Sequence, residues 1–198
     1  ILIVSVIMSI IFTMGNCKQK LNGGTIVDIK TLLEGVDCSC GRRHVCDIGH
    51  VVIGQGAISS LEKITGRYAS ILLVADENTY EAAGGKTEKA LEGKKLKRVI
   101  FPGESILIPD EQAIQKITDA LTGVELIIGI GSGVIQDLCK YVSKATSLPY
   151  MVVATAPSMD GYASSGAAMI LGGMKVTVSA AVPAAIIADT QVLKDAPM

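Results

Sequence analysis

From residue 51 onward, short apolar runs alternate with amphipathic stretches. Ile71 to Ala75, Leu126 to Ile130 and Tyr150 to Ala154 are almost continuously apolar. That is the texture of parallel strands buried on both faces. Val51 to Ile53, Lys97 to Phe101 and Ala185 to Ala188 read as three further strands. Between them the apolar period lengthens to that of a helix. Ala57 to Gly66 places Ile58, Leu61 and Ile64 on one face. Glu77 to Glu92 reads as a helix interrupted at Gly84-Gly85. Asp110 is placed to cap a helix running to about Leu121, with Ala113, Ile117 and Leu121 inward. Val134 to Thr146 is a fourth helix. Gly172-Gly173, between Ala167 to Leu171 and Met174 to Val178, marks a β-hairpin. Strand–helix alternation of this kind predicts an α/β fold, a doubly wound parallel sheet.

The chain has 198 residues and a formal net charge of −1, so no basic excess points to nucleic acid or an anionic membrane. Aromatic residues make up 4%, with no Trp, which argues against a stacking platform for single strands. Five cysteines at scattered spacings argue against a disulfide framework and fit a reducing cytoplasm. Three regions follow: an apolar leader at 1–14, an irregular segment at 15–50 and the α/β domain at 51–198. The leader is too short to span a bilayer and lacks a basic n-region. Its favoured reading is a spurious extension ahead of a start at Met8 or Met14, with a truncated anchor or a packed strand as alternatives. The first residue, Ile1, and the ending at Pro197-Met198 make the chain read as a fragment.

Two loops follow predicted strands, at the sheet edge where open α/β folds bind ligands. The first is Gly129-Ile130-Gly131-Ser132-Gly133-Val134-Ile135-Gln136-Asp137. Its glycines permit a tight turn and a close backbone approach to phosphate at a helix N-terminus. It lacks the third glycine of G-x-G-x-x-G and the Lys-Ser/Thr of a P-loop, so a turn that merely needs glycine remains an alternative. Asp137 and Lys140 are either site groups or a surface pair. The second loop runs from Thr155 through Ala156-Pro157-Ser158-Met159-Asp160-Gly161-Tyr162-Ala163-Ser164. Its hydroxyls suit a phosphate or ribose, and Asp160 suits substrate hydroxyls; Asp160 and Ser164 could equally form an Asx-turn or a cap. Asp76, ending its strand, is a ribose ligand or a helix cap, with the cap favoured. Cys38, Cys40, His44 and Cys46 are zinc-binding residue types. The tight Cys-x-Cys and the adjacent Arg42 and Arg43 favour a plain structural loop. His50 and Cys139 suggest packing alone.

These two loops, with Ile187-Ala188-Asp189, Lys194-x-Ala196-Pro197 and Cys38-Ser39-Cys40-Gly41-x-x-His44, resemble the sn-glycerol-1-phosphate dehydrogenases. That family belongs with the iron-containing alcohol dehydrogenases, glycerol dehydrogenases and dehydroquinate synthases. The resemblance covers roughly Cys38 to Met198. It implies a dehydroquinate synthase-like nucleotide-binding domain whose helical C-terminal partner is missing from this chain. It implies NAD(H) or NADP(H), with cofactor contacts from Gly131, Ser132, Gly133, Val134, Ile135, Gln136 and Asp137. Thr155, Ser158 and Ser164 would add to these, as would Asp76 at the adenosine end. Asp160 would bind the substrate, dihydroxyacetone phosphate or sn-glycerol 1-phosphate. A divalent metal, Zn²⁺ or Ni²⁺, would be held by residues beyond Met198 and would polarise the carbonyl. The fragment alone is then expected to be inactive. A homo-oligomer is left open. Alternatives are a glycerol dehydrogenase or another oxidoreductase of the superfamily, a dehydroquinate synthase-like lyase, or a non-catalytic nucleotide-binding module.

Overall fold

The structure is a computed structural model that describes residues 33–37, 41, 43–45, 47–159 and 161–197. The 1–14 leader, Cys17, Cys38, Cys40, Cys46 and Asp160 lie outside the described residues. The elements in chain order are strand β1 (Val36–Asp37), β2 (Arg43–His44), β3 (His50–Gly54), a 3-10 turn (Ala57–Ser60), helix α1 (Leu61–Ile64) and β4 (Ser70–Asp76). There follow α2 (Glu77–Ala90), β5 (Lys95–Phe101), α3 (Glu111–Asp119), β6 (Leu126–Gly131), α4 (Gly133–Thr146) and β7 (Tyr150–Ala154). The hairpin strands β8 (Gly166–Leu171) and β9 (Met174–Ser179), then β10 (Ala185–Asp189) and α5 (Thr190–Lys194), complete them.

Six strands form one sheet in the order β3-β10-β7-β6-β4-β5, with every pairing parallel. Because side chains alternate along a strand, each central strand feeds two cores. Leu72 and Val74 of β4, Ile127 of β6 and Val152 of β7 join α3, α4 and the hairpin on one face. Ile71, Leu73, Ile128 and Val153 join α1, α2 and the 3-10 turn on the other. Burial on both faces explains the apolar runs. The edge strand β5 instead carries Lys95, Lys97 and Arg98, which blunt it against further pairing.

Four expectations need correction. The helix over Ala57 to Gly66 is a 3-10 turn followed by one turn of α-helix. Gly56 enters it in a left-handed conformation without a side-chain cap, and the Ser59 and Ser60 hydroxyls bond back to Gly56 O and Ala57 O. Helix α2 runs unbroken through Gly84-Gly85. Gly84 lies under the Tyr80 ring, where a Cβ would come within 2.4 Å of ring carbon, so close packing rather than a break explains it. The 15–50 segment is not wholly irregular, since β1 and β2 pair antiparallel. His50, expected to pack, is exposed at the start of β3. The hairpin turn holds as read, with Gly172 and Gly173 both at positive φ.

Candidate nucleotide-binding cleft

The chain runs from β4 to β5 in one direction, then places β6, β7 and β10 on the other side of β4. The crevice above the carboxyl ends of β4 and β6 is therefore the switch point where such sheets take ligands. A cleft of about 620 Å³ opens there. Asn78 and Thr79 after β4, Ser132 after β6, Thr155 and Ala156 after β7, and Gln191 after β10 line it. Lys86 and Glu81 of α2, and Asp195, also line it.

The first glycine-rich loop supplies the floor. The Ser132 carbonyl accepts the first intrahelical bond of α4, from Gln136 N at 3.0 Å. The N–H groups of Gly133, Val134 and Ile135 thus have no acceptor within the helix. Ser132 makes no side-chain capping bond and lines the cleft. A Cβ on Gly133 would meet nothing within 4 Å. Open space at a helix N-terminus with spare N–H donors and a partial positive charge fits a phosphate.

The neighbouring glycines serve packing. A Cβ on Gly131 would come within 2.8 Å of Ile135, and one on Gly129 within 2.8 Å of the Gln136 amide and 3.0 Å of Cys139 Sγ. Helix α4 therefore lies directly on β6. Gln136 is fully buried; its Nε2 donates to Gly129 O at 2.9 Å and Gly131 O at 3.2 Å. Ile135 is buried likewise. These two side chains support the loop from beneath and do not line the cleft. Cys139 packs against them, and burial holds its thiol protonated well above the usual range.

Asp137 and Lys140 are not a surface pair. Lys140 is fully buried, and its ammonium donates to the carbonyl oxygen of Gly161, to Ser164 Oγ at 2.8 Å and to Gly166 O at 3.3 Å. Burial lowers its pKa to about 8, against a smaller opposing pull from Asp137. The Asp137 carboxyl is raised by burial, partly offset by Lys140 and by the Ala168 N–H. Asp137 and Lys140 face the second loop and the hairpin, away from the cleft.

Within the second loop, Thr155 lines the cleft, whereas Ser158 is exposed outside it. The Ser164 hydroxyl donates to Gly161 O at 2.9 Å and accepts from Lys140. Tyr162, which the sequence reading did not single out, is buried; its hydroxyl donates to Ala156 O at 3.0 Å, and burial pushes its pKa up to about 12. Asp76 caps α2, accepting from Thr79 N at 2.9 Å while Thr79 Oγ1 accepts from Asp76 N, a reciprocal capping box. Asp189 is buried and accepts from the N–H groups of Gln191 and Gly56, tying β10 to the 3-10 turn. Two contributors to the cleft escaped the sequence reading: the Asn78, Ala82 and Lys86 stripe of α2, at a four-residue spacing, and α5.

Residues 52–197 match the family profile of the iron-containing alcohol dehydrogenases. The chain belongs to that family. It is 33% identical over 168 residues to a glycerol-1-phosphate dehydrogenase [NAD(P)+] of Geobacillus stearothermophilus, covering 81% of this chain and 42% of that protein. It is 34% identical over 167 residues to the protein of the same name from Bacillus velezensis, covering 78% and 41%. The chain thus spans under half the length of these relatives. Among solved structures, glycerol dehydrogenase from Schizosaccharomyces pombe superposes with a TM-score of 0.64 at 22% identity, over 76% of this chain and 39% of that one. An iron-containing alcohol dehydrogenase from Thermococcus thioreducens gives 0.65 at 14% identity, over 76% and 48%. These two show that the chain shares their α/β fold. Among its described residues no helix is long and apolar enough to cross a membrane. No group of three or more His, Cys, Asp or Glu among them converges as a metal site.

Proposed function

We propose that the complete protein interconverts dihydroxyacetone phosphate and sn-glycerol 1-phosphate by NAD(P)-dependent hydride transfer. The observation that carries the reading is the open cradle at Gly133, at the switch point of the sheet, in a chain whose relatives are named for that activity. The N–H groups of Gly133 to Ile135 and the Ser132 hydroxyl would hold the cofactor pyrophosphate. Thr155, on the next strand, would contact the dinucleotide from the other wall. The Asp76 carboxylate keeps lone pairs beyond its capping bond and would accept from a ribose hydroxyl at the adenosine end. Ser158, Ser164, Gln136, Ile135 and Asp137 would act by shaping the two loops, and Asp160 would bind the substrate. When bound, NAD(P)H supplies the hydride. The family implies a divalent metal, but the described residues provide no ligand set for one, so its ligands would come from elsewhere in the complete protein.

The test is NADH oxidation by the complete protein with dihydroxyacetone phosphate against unphosphorylated dihydroxyacetone, with and without Zn²⁺ or Ni²⁺. Turnover of the phosphate ester alone supports the proposal. Turnover of dihydroxyacetone alone makes the protein a glycerol dehydrogenase. Turnover of neither, with NADH still bound, overturns the oxidoreductase assignment.

A further inference from the structure

We infer that Lys140 is a positioning residue for catalysis, the internal fastener that fixes the shape of the segment Gly161–Gly166. The inference rests on the proposed function, since the second loop carries the proposed substrate residue, Asp160, directly before Gly161. A lysine ammonium has three N–H donors and no acceptor. Lys140 meets three acceptors: Gly161 O, Ser164 Oγ and Gly166 O. Ser164 closes a ring by donating to Gly161 O, so that carbonyl accepts from both side chains. The two ends of the segment, Gly161 and Gly166, are thereby drawn to one nitrogen on a rigid 14-residue helix. Tyr162, between them, is buried and fixes the start of the same loop through Ala156.

Burying a charged group is costly unless every donor is matched. A purely structural role at this place needs no charge, because an apolar side chain would fill the space. The matched ammonium instead specifies one loop conformation. Helix α4 then couples the two halves of the site: its first turn faces the cleft, and two turns later it holds the substrate loop.

The test compares wild type, Lys140→Met and Ser164→Ala in the complete protein. Three quantities are measured: amide hydrogen exchange of residues 156–166, the NADH dissociation constant, and kcat and KM for dihydroxyacetone phosphate. In Lys140→Met, exchange in the loop rises at least tenfold and KM rises at least tenfold, while NADH affinity stays within twofold. In Ser164→Ala, which keeps both carbonyl partners, each effect is about threefold. Unchanged loop exchange and KM in Lys140→Met overturn the inference, as does a parallel loss of NADH affinity and KM, which marks a general structural role. If Lys140→Met does not fold, wild-type KM and exchange in Ser164→Ala overturn it. Absence of wild-type turnover refutes the proposed function, and loop exchange still decides the role of Lys140.

Discussion

The N-terminus and the flank of helix α4 differ in kind. At its N-terminus α4 is open: spare N–H donors, a serine hydroxyl making no cap, and a glycine with free space above it. On its flank it is closed: Gln136 bonded to two carbonyls, Lys140 to two carbonyls and a hydroxyl, Gly129 in contact with Gln136 and Cys139. An unfilled hydrogen-bonding surface marks where a ligand belongs. Donors matched by protein carbonyls mark what holds that surface in place, although the buried Gln136 Oε1 is left without a partner. Residues of the same types, in one motif, therefore divide into cleft-facing and supporting groups according to helix face.

The division breaks most visibly at the glycines. Gly129→Ala forces Cβ against Gln136 and Cys139, and we expect a loss of about 1–3 kcal/mol in urea unfolding, with NADH affinity of the folded protein intact. Gly133→Ala reverses the pattern: stability holds or rises slightly, because alanine favours a helix and meets nothing. NADH affinity, read by cofactor fluorescence, falls about tenfold, or ~1.4 kcal/mol. Asp76→Ala removes the capping box of α2 and costs about 1 kcal/mol in the same unfolding assay.

A further prediction is a pH dependence. The Lys140 pKa falls from 10.5 in the unfolded chain to about 8 in the fold. Between those values the unfolded chain binds more protons, so this group makes stability rise with pH over that window. Below pH 8 its burial penalty is fully present. The difference between wild-type and Lys140→Met unfolding free energies should therefore shift in favour of wild type from pH 8 to 10. A flat difference would show that Lys140 titrates normally.

The sheet was legible because β4, β6 and β7 are buried on both faces and read as apolar runs. The hairpin was legible because Gly172-Gly173 at positive φ is the chemistry such a turn requires. Helix α2 misled because Gly84 resembles a breaker, whereas the Tyr80 ring that demands it lies one turn away on the same helix. Of the two loops read from the sequence, Ser132, Thr155 and Ala156 line the candidate cleft, but the division of labour between loop residues was not legible. Nothing local says that Gln136 and Lys140 are buried; their partners include carbonyls of β6, of the second loop and of β8, brought near only by the fold. Asn78, Ala82 and Lys86 went unseen because a ligand stripe on a helix has the same period as an ordinary solvent face.

The most direct test places a carboxylate where the pyrophosphate would sit. Gly133→Asp puts negative charge at the α4 N-terminus, where the helix dipole favours it, so the urea midpoint holds or rises. The account predicts that NADH affinity of the complete protein then falls at least tenfold. Unchanged NADH affinity in a folded Gly133→Asp variant would contradict it and place the nucleotide elsewhere.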